Sequence, residues 1–156
     1  MRMRKMRKST PQTPRRRSSA KAQIAVQVAV TGAPAPALLR RYAREASRAS
    51  ITLRIVGRAE GRKLNYQFRK KNYPTNVLSF PYGGGGGDVV LCHPVIRREA
   101  KEQRKSLAAH YAHLVVHGIL HLRGHDHLRK AEAGRMERTE IRLLRRLGFG
   151  DPYAVK

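Results

Sequence analysis

The chain has 156 residues, of which 34 are Lys or Arg and ten are Asp or Glu, so its formal net charge at pH 7 is +24. A charge of this size favours a polyanionic partner, because phosphate neutralisation dominates non-specific binding to nucleic acid. A single cysteine excludes an internal disulfide framework and suits a reducing compartment. No apolar run reaches transmembrane length, and the first residues lack the apolar segment of a secretory signal. We therefore expect a cytoplasmic protein without a membrane segment.

Residues 1–22 form a separate basic segment. They contain nine Lys or Arg and no acid, with no aliphatic pattern. Such a segment buries too little apolar surface to offset its ordering entropy, so we expect a disordered extension, with an organelle transit peptide as the alternative. Without this segment the net charge is still +15, so residues 23–156 are predicted to form one domain that is itself basic. A basic surface with no specific partner is the alternative.

The first half of the domain predicts alternating strands and helices. β-branched residues at 24–30 predict a strand, and the prolines that follow are tolerated in the first turn of a helix ending near residue 47. Alternating apolar residues at 51–56 predict a second strand. Residues 59–71 predict a helix that closes before Pro74.

The second half predicts two short strands and two helices. The strands, at 77–80 and 89–92, are joined by a loop that contains five glycines at 83–87. We expect 83–86 to be a flexible hairpin connection and Gly87-Asp88 to begin the next strand. This run is not a P-loop, because no Gly-Lys-Ser/Thr follows it and no helix begins there. A long helix over 94–122 follows, with a candidate break near Lys105.

A last helix at 130–147 has an apolar stripe typical of one buried face. The residues expected in that stripe are Met136, Ile141, Leu144 and Leu147. Together these elements predict an α+β domain with a small sheet and no internal repeat.

The most informative pattern is a run of histidines near the end of the long helix. His117 and His121 are four residues apart and therefore share one helix face, where both imidazoles can reach one metal ion. Gly124 can end the helix with a positive φ, so that the chain turns back and delivers His127 as a third ligand. Three protein ligands with an open position are typical of catalytic zinc sites.

Other residues compete for these assignments. His125 also follows the glycine and is a rival for the third position. Cys92 is expected to pack as a small apolar side chain in a strand, as buried thiols do. The same spacing occurs in metzincin proteases, whose zinc-binding run carries a glutamate as general base. Here Gly118 stands at that position, so the frame for a metal is present without the protease base.

The histidine run and several other motifs resemble the YbeY family of metal-dependent endoribonucleases. The resemblance continues, in the family's order, through residues 64–70 (LNYQFRK), 74–80 (PTNVLSF), 87–92 (GDVVLC), 112–116 (AHLVV) and 148–153. Agreement among separated motifs is stronger than any single one. His125, Asn72 and the glycine run depart from the family's pattern, but none of these positions is one of the three matched histidines.

The resemblance implies a fold, an activity and a set of partners. The fold is a small mixed β-sheet of about four strands surrounded by helices, with a metal site similar to that of zincins. The activity is single-strand-specific cleavage of RNA in maturation of the small-subunit ribosomal RNA 3′ end and in ribosome quality control. The implied partners are ribosomal RNA and ribosome or small-subunit proteins, with other ribonucleases and a ribosome-associated GTPase as further candidates.

The resemblance also assigns roles to residues of this chain. His117, His121 and His127 match the ligands of one Zn²⁺ per chain, and Arg69 matches the family's other functional residue. The planar guanidinium of Arg69 could neutralise charge that develops on a phosphoryl group, which a lysine does not reproduce. A structural ion pair or plain surface charge is the alternative for Arg69.

Four further residues have open roles. Asp126 could fix the tautomer of a ligand imidazole or cap the turn after Gly124. His113 could line the cleft, transfer a proton or pack in the interior. Asp88 could act in the chemistry or hold the neighbouring loop. His125 could be the third metal ligand in place of His127.

Two other functional classes compete with an endoribonuclease. One is a metal-dependent hydrolase of another substrate, which the missing glutamate, the basic charge and the Arg69 motif disfavour. The other is a ribosome assembly factor whose zinc is mainly structural, which three ligands without an evident fourth disfavour.

Overall fold

The computed structural model describes residues 22–125 and 129–154. It contains four strands and five helices in these ranges, in the order β1 (Ile24–Val28), α1 (Pro36–Ala46), β2 (Ile51–Val56), α2 (Arg58–Arg69), β3 (Val77–Gly83), β4 (Gly86–Cys92), α3 (His93–Glu102), α4 (Leu107–Leu122) and α5 (Lys130–Arg146). Most bounds agree with those expected from the apolar periodicity. Within the described ranges, no helix is both long enough and apolar enough to cross a membrane.

The four strands form one mixed sheet in the order β1-β2-β4-β3. β1 pairs with β2 and β2 with β4 in parallel, whereas β3 pairs with β4 in an antiparallel hairpin and forms one edge of the sheet. This arrangement confirms the predicted α+β class and the small mixed sheet of about four strands. The parallel pairs are connected through helices, as parallel strands require.

Helices cover both faces of the sheet, because the side chains of its strands alternate between the two faces. Leu53 and Val89 point into the larger core, which α1, α4 and α5 complete. Val90 and Cys92 point to the other face, where a smaller apolar cluster includes Leu64 of α2. α4 and α2 therefore lie on opposite faces of the same sheet.

The structure confirms the predicted hairpin and the strand position of Gly87, but its connection is shorter than the expected 83–86. β3 extends to Gly83 and β4 begins at Gly86, so only residues 84 and 85 form the turn. Gly84 and Gly85 have φ of 64° and 85°, which suits the tight hairpin turn. A Cβ at Gly87 would lie 2.3 Å from the backbone oxygen of Phe80, so only glycine allows this close approach between β3 and β4.

The expected long helix at 94–122 is two helices, with the break near the predicted position. α3 ends at Glu102, and Arg104 has a positive φ of 57° that takes the chain out of the helix. Ser106 then caps α4, because its Oγ accepts a hydrogen bond from the Ala109 amide at 3.0 Å.

The buried stripe of α5 differs from the expected one at three positions. Met136, Leu144 and Leu147 are buried as predicted, but Ile141 is only half-buried and Leu143 is buried instead. Glu140 also belongs to this stripe and is fully buried. The spacing from Met136 explains the difference, since positions four, seven, eight and eleven residues later share its helix face and position five does not.

Gly118 lets α4 pack closely on the sheet. A Cβ at this position would stand 2.8 Å from Cγ1 of Val89, 3.1 Å from Cγ2 of Val77 and 3.2 Å from Oγ of Ser79. The glutamate that metzincin proteases carry here would not fit between the helix and the strands.

We expect Gly118→Ala to destabilise the domain by about 1–2 kcal/mol, because overpacking outweighs the helix propensity that alanine gains. Gly134→Ala is the matched control within a helix. Its Cβ would meet only the flexible end of Arg138, at 3.3 Å, so it should stabilise by about 0.5–1 kcal/mol. Urea unfolding of both variants checks the opposite signs, and a Gly118→Ala chain as stable as the wild type would contradict the packing argument.

Candidate metal centre

α4 places three histidines on successive turns of one helix face. The ring centroids of His113 and His117 are 6.1 Å apart, and those of His117 and His121 are 4.8 Å apart. The structure thus brings together the two imidazoles that the spacing predicts on one face.

Gly124 ends α4 in the predicted manner. Its φ is 92°, its amide donates to the His121 carbonyl at 3.0 Å, and the His125 amide donates to the Leu120 carbonyl at 3.0 Å. This pair of bonds is the Schellman motif, which reverses the chain after a helix. His127 and Asp126 lie outside the described residues, so the role of His127 as third ligand stays a prediction.

A buried carboxylate from α5 contacts the middle histidine. Glu140 has no exposed surface, and its Oε2 lies 2.5 Å from Nδ1 of His117. The Tyr153 hydroxyl donates a hydrogen bond to Oε1 of the same carboxylate. His113 Nε2 lies 3.6 Å from that oxygen and 3.2 Å from the Tyr153 hydroxyl.

These contacts hold Glu140 in its charged form. Burial alone would raise its pKa, but the neighbouring His113 ring and the hydrogen bonds from His117 and Tyr153 outweigh burial and lower the pKa to about 2. Burial and the neighbouring carboxylate raise the pKa of Tyr153, which therefore stays a hydroxyl donor. Burial lowers the pKa of His113, which disfavours its charged form.

The donor atoms at this place fit a divalent metal ion. One ligand atom from each of His113, His117 and Glu140 lies within 4.8 Å of the others. Imidazole nitrogens and a carboxylate are the donors that zinc and similar metals take in proteins. A carboxylate bonded to an imidazole is also the usual support of a metal-binding histidine.

A cleft of about 360 Å³ opens beside His113 and His117. Its polar wall is a network in which Glu99 Oε1 lies 2.9 Å from His110 Nε2 and accepts from Asn76 Nδ2 at 3.0 Å. Lys105 also lines the cleft. His117, one of the predicted ligands, therefore borders a space that a substrate group can enter.

Arg69 lies at the end of α2, on the other side of the sheet from α4. Its side chain is exposed, and no residue within the described ranges forms a hydrogen bond or ion pair with its guanidinium. The neighbouring Phe68 packs on Phe80 of β3 with ring centroids 4.9 Å apart, while Ser79 donates to the Gly118 carbonyl at 2.9 Å. α2 and α4 thus contact adjacent residues of the same edge strand, and the catalytic role of Arg69 stays a prediction.

The structure also shows the surroundings of Cys92 and Asp88. Cys92 is buried in β4, as expected for a small apolar side chain. Asp88 accepts a hydrogen bond from the Tyr82 hydroxyl across the β3–β4 hairpin, which favours its role in holding the loop.

Glu140 and Tyr153 are the groups that sequence reasoning missed. An acidic residue suggests a solvent-exposed position, so an apolar pattern alone does not include Glu140 in the α5 stripe. One signal was available: Glu140 is four residues after Met136 and four before Leu144, and an acid at that spacing interrupts an otherwise apolar face.

Comparison with known proteins identifies the family of this chain. The family model described as endoribonuclease YbeY matches residues 18–148. A protein of that name from Polynucleobacter asymbioticus is 47% identical over 138 residues, covering 85% of this chain and 89% of its own. Its namesake from Aromatoleum aromaticum is 54% identical over 126 residues, covering 78% of this chain and 82% of its own.

A solved structure supports the fold independently. The solution structure of a protein from Thermotoga maritima matches with a TM-score of 0.55, covers 85% of this chain and all of its own, and is 22% identical. The long matches to named relatives and the helix that carries the paired histidines lead to one conclusion: the chain belongs to the endoribonuclease YbeY family.

Proposed function

We propose that this protein is a zinc-dependent, single-strand-specific endoribonuclease that acts in maturation of the small-subunit ribosomal RNA 3′ end and in ribosome quality control. The observation that carries the proposal is the buried Glu140 carboxylate on Nδ1 of His117, within a chain of this family. A basic domain that contains a histidine centre matches a substrate made of phosphodiesters.

The metal is proposed to be held by His117, His121 and His127, with one Zn²⁺ per chain. Because Glu140 occupies Nδ1 of His117, the Nε2 atom is the ring nitrogen that would bind a metal. The alternative set, with Glu140 itself as a ligand, is less favourable. Both of its oxygens already accept hydrogen bonds, from His117 and Tyr153, and direct binding to a metal would disrupt them.

The protein's own residues would orient and neutralise the substrate. When bound, the zinc would supply a Lewis acid that polarises a phosphoryl oxygen. Glu140 keeps the His117 ring in one tautomer and one orientation, and Tyr153 keeps Glu140 in place. Arg69 would neutralise the charge that develops on the phosphoryl group through its planar pair of donors. The cleft beside His113 would receive the nucleotide next to the scissile bond.

The proposed partners follow from the substrate. They are ribosomal RNA and ribosome or small-subunit proteins, with other ribonucleases and a ribosome-associated GTPase as further candidates. The proposed location is the cytoplasm, where ribosomal RNA and reduced thiols such as Cys92 coexist.

Cleavage of a single-stranded ribosomal RNA fragment, with metal content measured on each preparation, tests this proposal. We expect about one zinc per wild-type chain and cleavage reduced at least about 100-fold in Arg69→Ala, because a positioned charge donor contributes several kcal/mol at the transition state. Arg69→Lys should cleave RNA little faster than Arg69→Ala, because lysine lacks the planar pair of donors of arginine. Arg142→Ala, an exposed arginine of α5, should cleave as the wild type does.

Zinc without cleavage by the wild type would instead favour a ribosome assembly factor. Cleavage by Arg69→Ala at the wild-type rate would remove Arg69 from the mechanism while leaving the ribonuclease function in place.

A further inference from the structure

The exposed face of α2 combines positive charge with an aromatic ring. Arg62, Lys63, Tyr66 and Lys70 line an open depression of about 500 Å³ and constitute what we call the α2 surface. Arg62, Lys63 and Tyr66 lie on one side of the helix, away from the buried Gly61 and Asn65, and Lys70 follows as the residue that caps its C-terminal end. Gln67 and Asn72 add amide groups to the same depression.

The charge of the α2 surface is not compensated within the described ranges. The one acid of α2, Glu60, is taken by Arg54, whose Nε and Nη2 donate to it at 2.8 and 2.9 Å. None of the three cations of the surface forms an ion pair with a described residue. Such a group of cations attracts a phosphate backbone.

Tyr66 gives this surface a second property. Tyr66 is 55% exposed, so its ring is open to solvent. An exposed ring between cations offers a stacking face for an unpaired base, and base–aromatic stacking contributes strongly to single-strand binding. A paired base cannot stack in this way, so the ring favours single strands over duplexes.

The position of α2 connects its surface to the metal centre. Phe68 fixes the end of α2 against Phe80, and the adjacent Ser79 bonds to Gly118, next to His117. An RNA strand that lies along α2 would therefore approach β3, the edge strand that α4 contacts from the other face of the sheet.

We propose that the α2 surface is a docking site for single-stranded RNA, separate from the metal centre. The cations of Arg62, Lys63 and Lys70 bind consecutive phosphates, and Tyr66 stacks on one base. This site rests on the proposed ribonuclease function and adds the contact that holds the substrate while another part of it is cut.

Binding of a fluorescein-labelled, 2′-O-methyl single-stranded RNA of about 12 nucleotides to the full chain tests the site. We expect Tyr66→Ala to weaken binding about tenfold and Tyr66→Phe to retain it, because stacking needs the ring and not the hydroxyl. Arg62→Ala/Lys63→Ala should reduce the slope of log K against log salt by about 1.4, since two phosphate contacts are lost.

Arg138→Ala/Arg142→Ala is the matched control, because it removes the same charge from exposed positions of α5. It should weaken binding less than about twofold at moderate salt, where distant charges are screened. Thermal unfolding of every variant shows that the fold is retained. The proposal is overturned if Tyr66→Ala binds as the wild type does, or if the two charge variants behave alike.

Two further probes distinguish single-stranded RNA from other ligands of the α2 surface. The duplex form of the same sequence should bind without dependence on Tyr66, and equal dependence would overturn the preference for single strands. A glutamate-rich peptide should bind weakly and without dependence on Tyr66. If Tyr66→Ala weakened the peptide as much as the RNA, the surface would be a protein-docking site and the proposal would fail.

The outcome for this site is distinguishable from the outcome for the enzyme. Tyr66-dependent RNA binding by a chain that cleaves nothing would overturn the ribonuclease function and support the docking site. Cleavage by Tyr66→Ala with the KM of the wild type would support the ribonuclease function and overturn the docking site.

Discussion

His117→Ala is expected to bind no zinc and to cleave RNA at least about 10³-fold more slowly than the wild type. The substitution removes the imidazole that Glu140 orients, and a catalytic metal contributes several kcal/mol of transition-state stabilisation. Zinc content by elemental analysis and cleavage rate at saturating RNA are the two measurements. Full activity in a metal-free His117→Ala chain would refute the metal-dependent mechanism.

A pair of neighbouring variants tests the third ligand. We expect His127→Ala to lose zinc as His117→Ala does, and His125→Ala to keep it. His125→Ala keeps the backbone amide that closes α4, so the turn after Gly124 is expected to stay intact. Zinc lost from His125→Ala but retained by His127→Ala would reverse the assignment of the third ligand.

Glu140→Gln is expected to lower both zinc affinity and stability. The amide keeps the size of the carboxylate but brings an N–H group to a place where His117 and Tyr153 already donate. Loss of a buried, charged hydrogen-bond acceptor should cost about 3 kcal/mol, and loss of the support for His117 should weaken zinc binding about 10–100-fold. Urea unfolding of metal-free protein and a competitive zinc titration measure the two effects.

Glu137→Gln provides the matched control on the same helix. Glu137 is exposed and lies three residues before Glu140, so the same chemical change should leave both stability and zinc affinity close to those of the wild type. If Glu140→Gln also bound zinc with wild-type affinity, Glu140 would have no part in orienting the centre.

Local features of the sequence predicted much of this fold. The bounds of β2 agree with the alternation at 51–56, and α4 ends where Gly124 predicts a change of backbone conformation. Both depend on neighbours in sequence, through side-chain alternation and the positive φ that glycine allows. The pairing of His117 with His121 has the same local origin, since helical spacing alone brings the rings together.

Features that depend on distant partners were not predicted. Glu140 is buried because His117, 23 residues earlier, and Tyr153, 13 residues later, both bond to it. Gly83 and Gly86 lie in strands because pairing between β3 and β4 outweighs the weak strand preference of glycine. Neither the hydrogen-bond partners of Glu140 nor the pairing of β3 with β4 can be predicted from a window of neighbouring residues.

The hydrogen bond between Tyr153 and Glu140 sets the order in which the histidine centre is assembled as the chain is made. All four strands have been made once Cys92 is added, and the helix with His117 is complete at Leu122. The hydroxyl that secures the buried carboxylate arrives only with Tyr153. A nascent chain that still lacks Tyr153 has its described strands and α4 but not the hydroxyl that secures Glu140, so the support of His117 is completed only after that residue has been added.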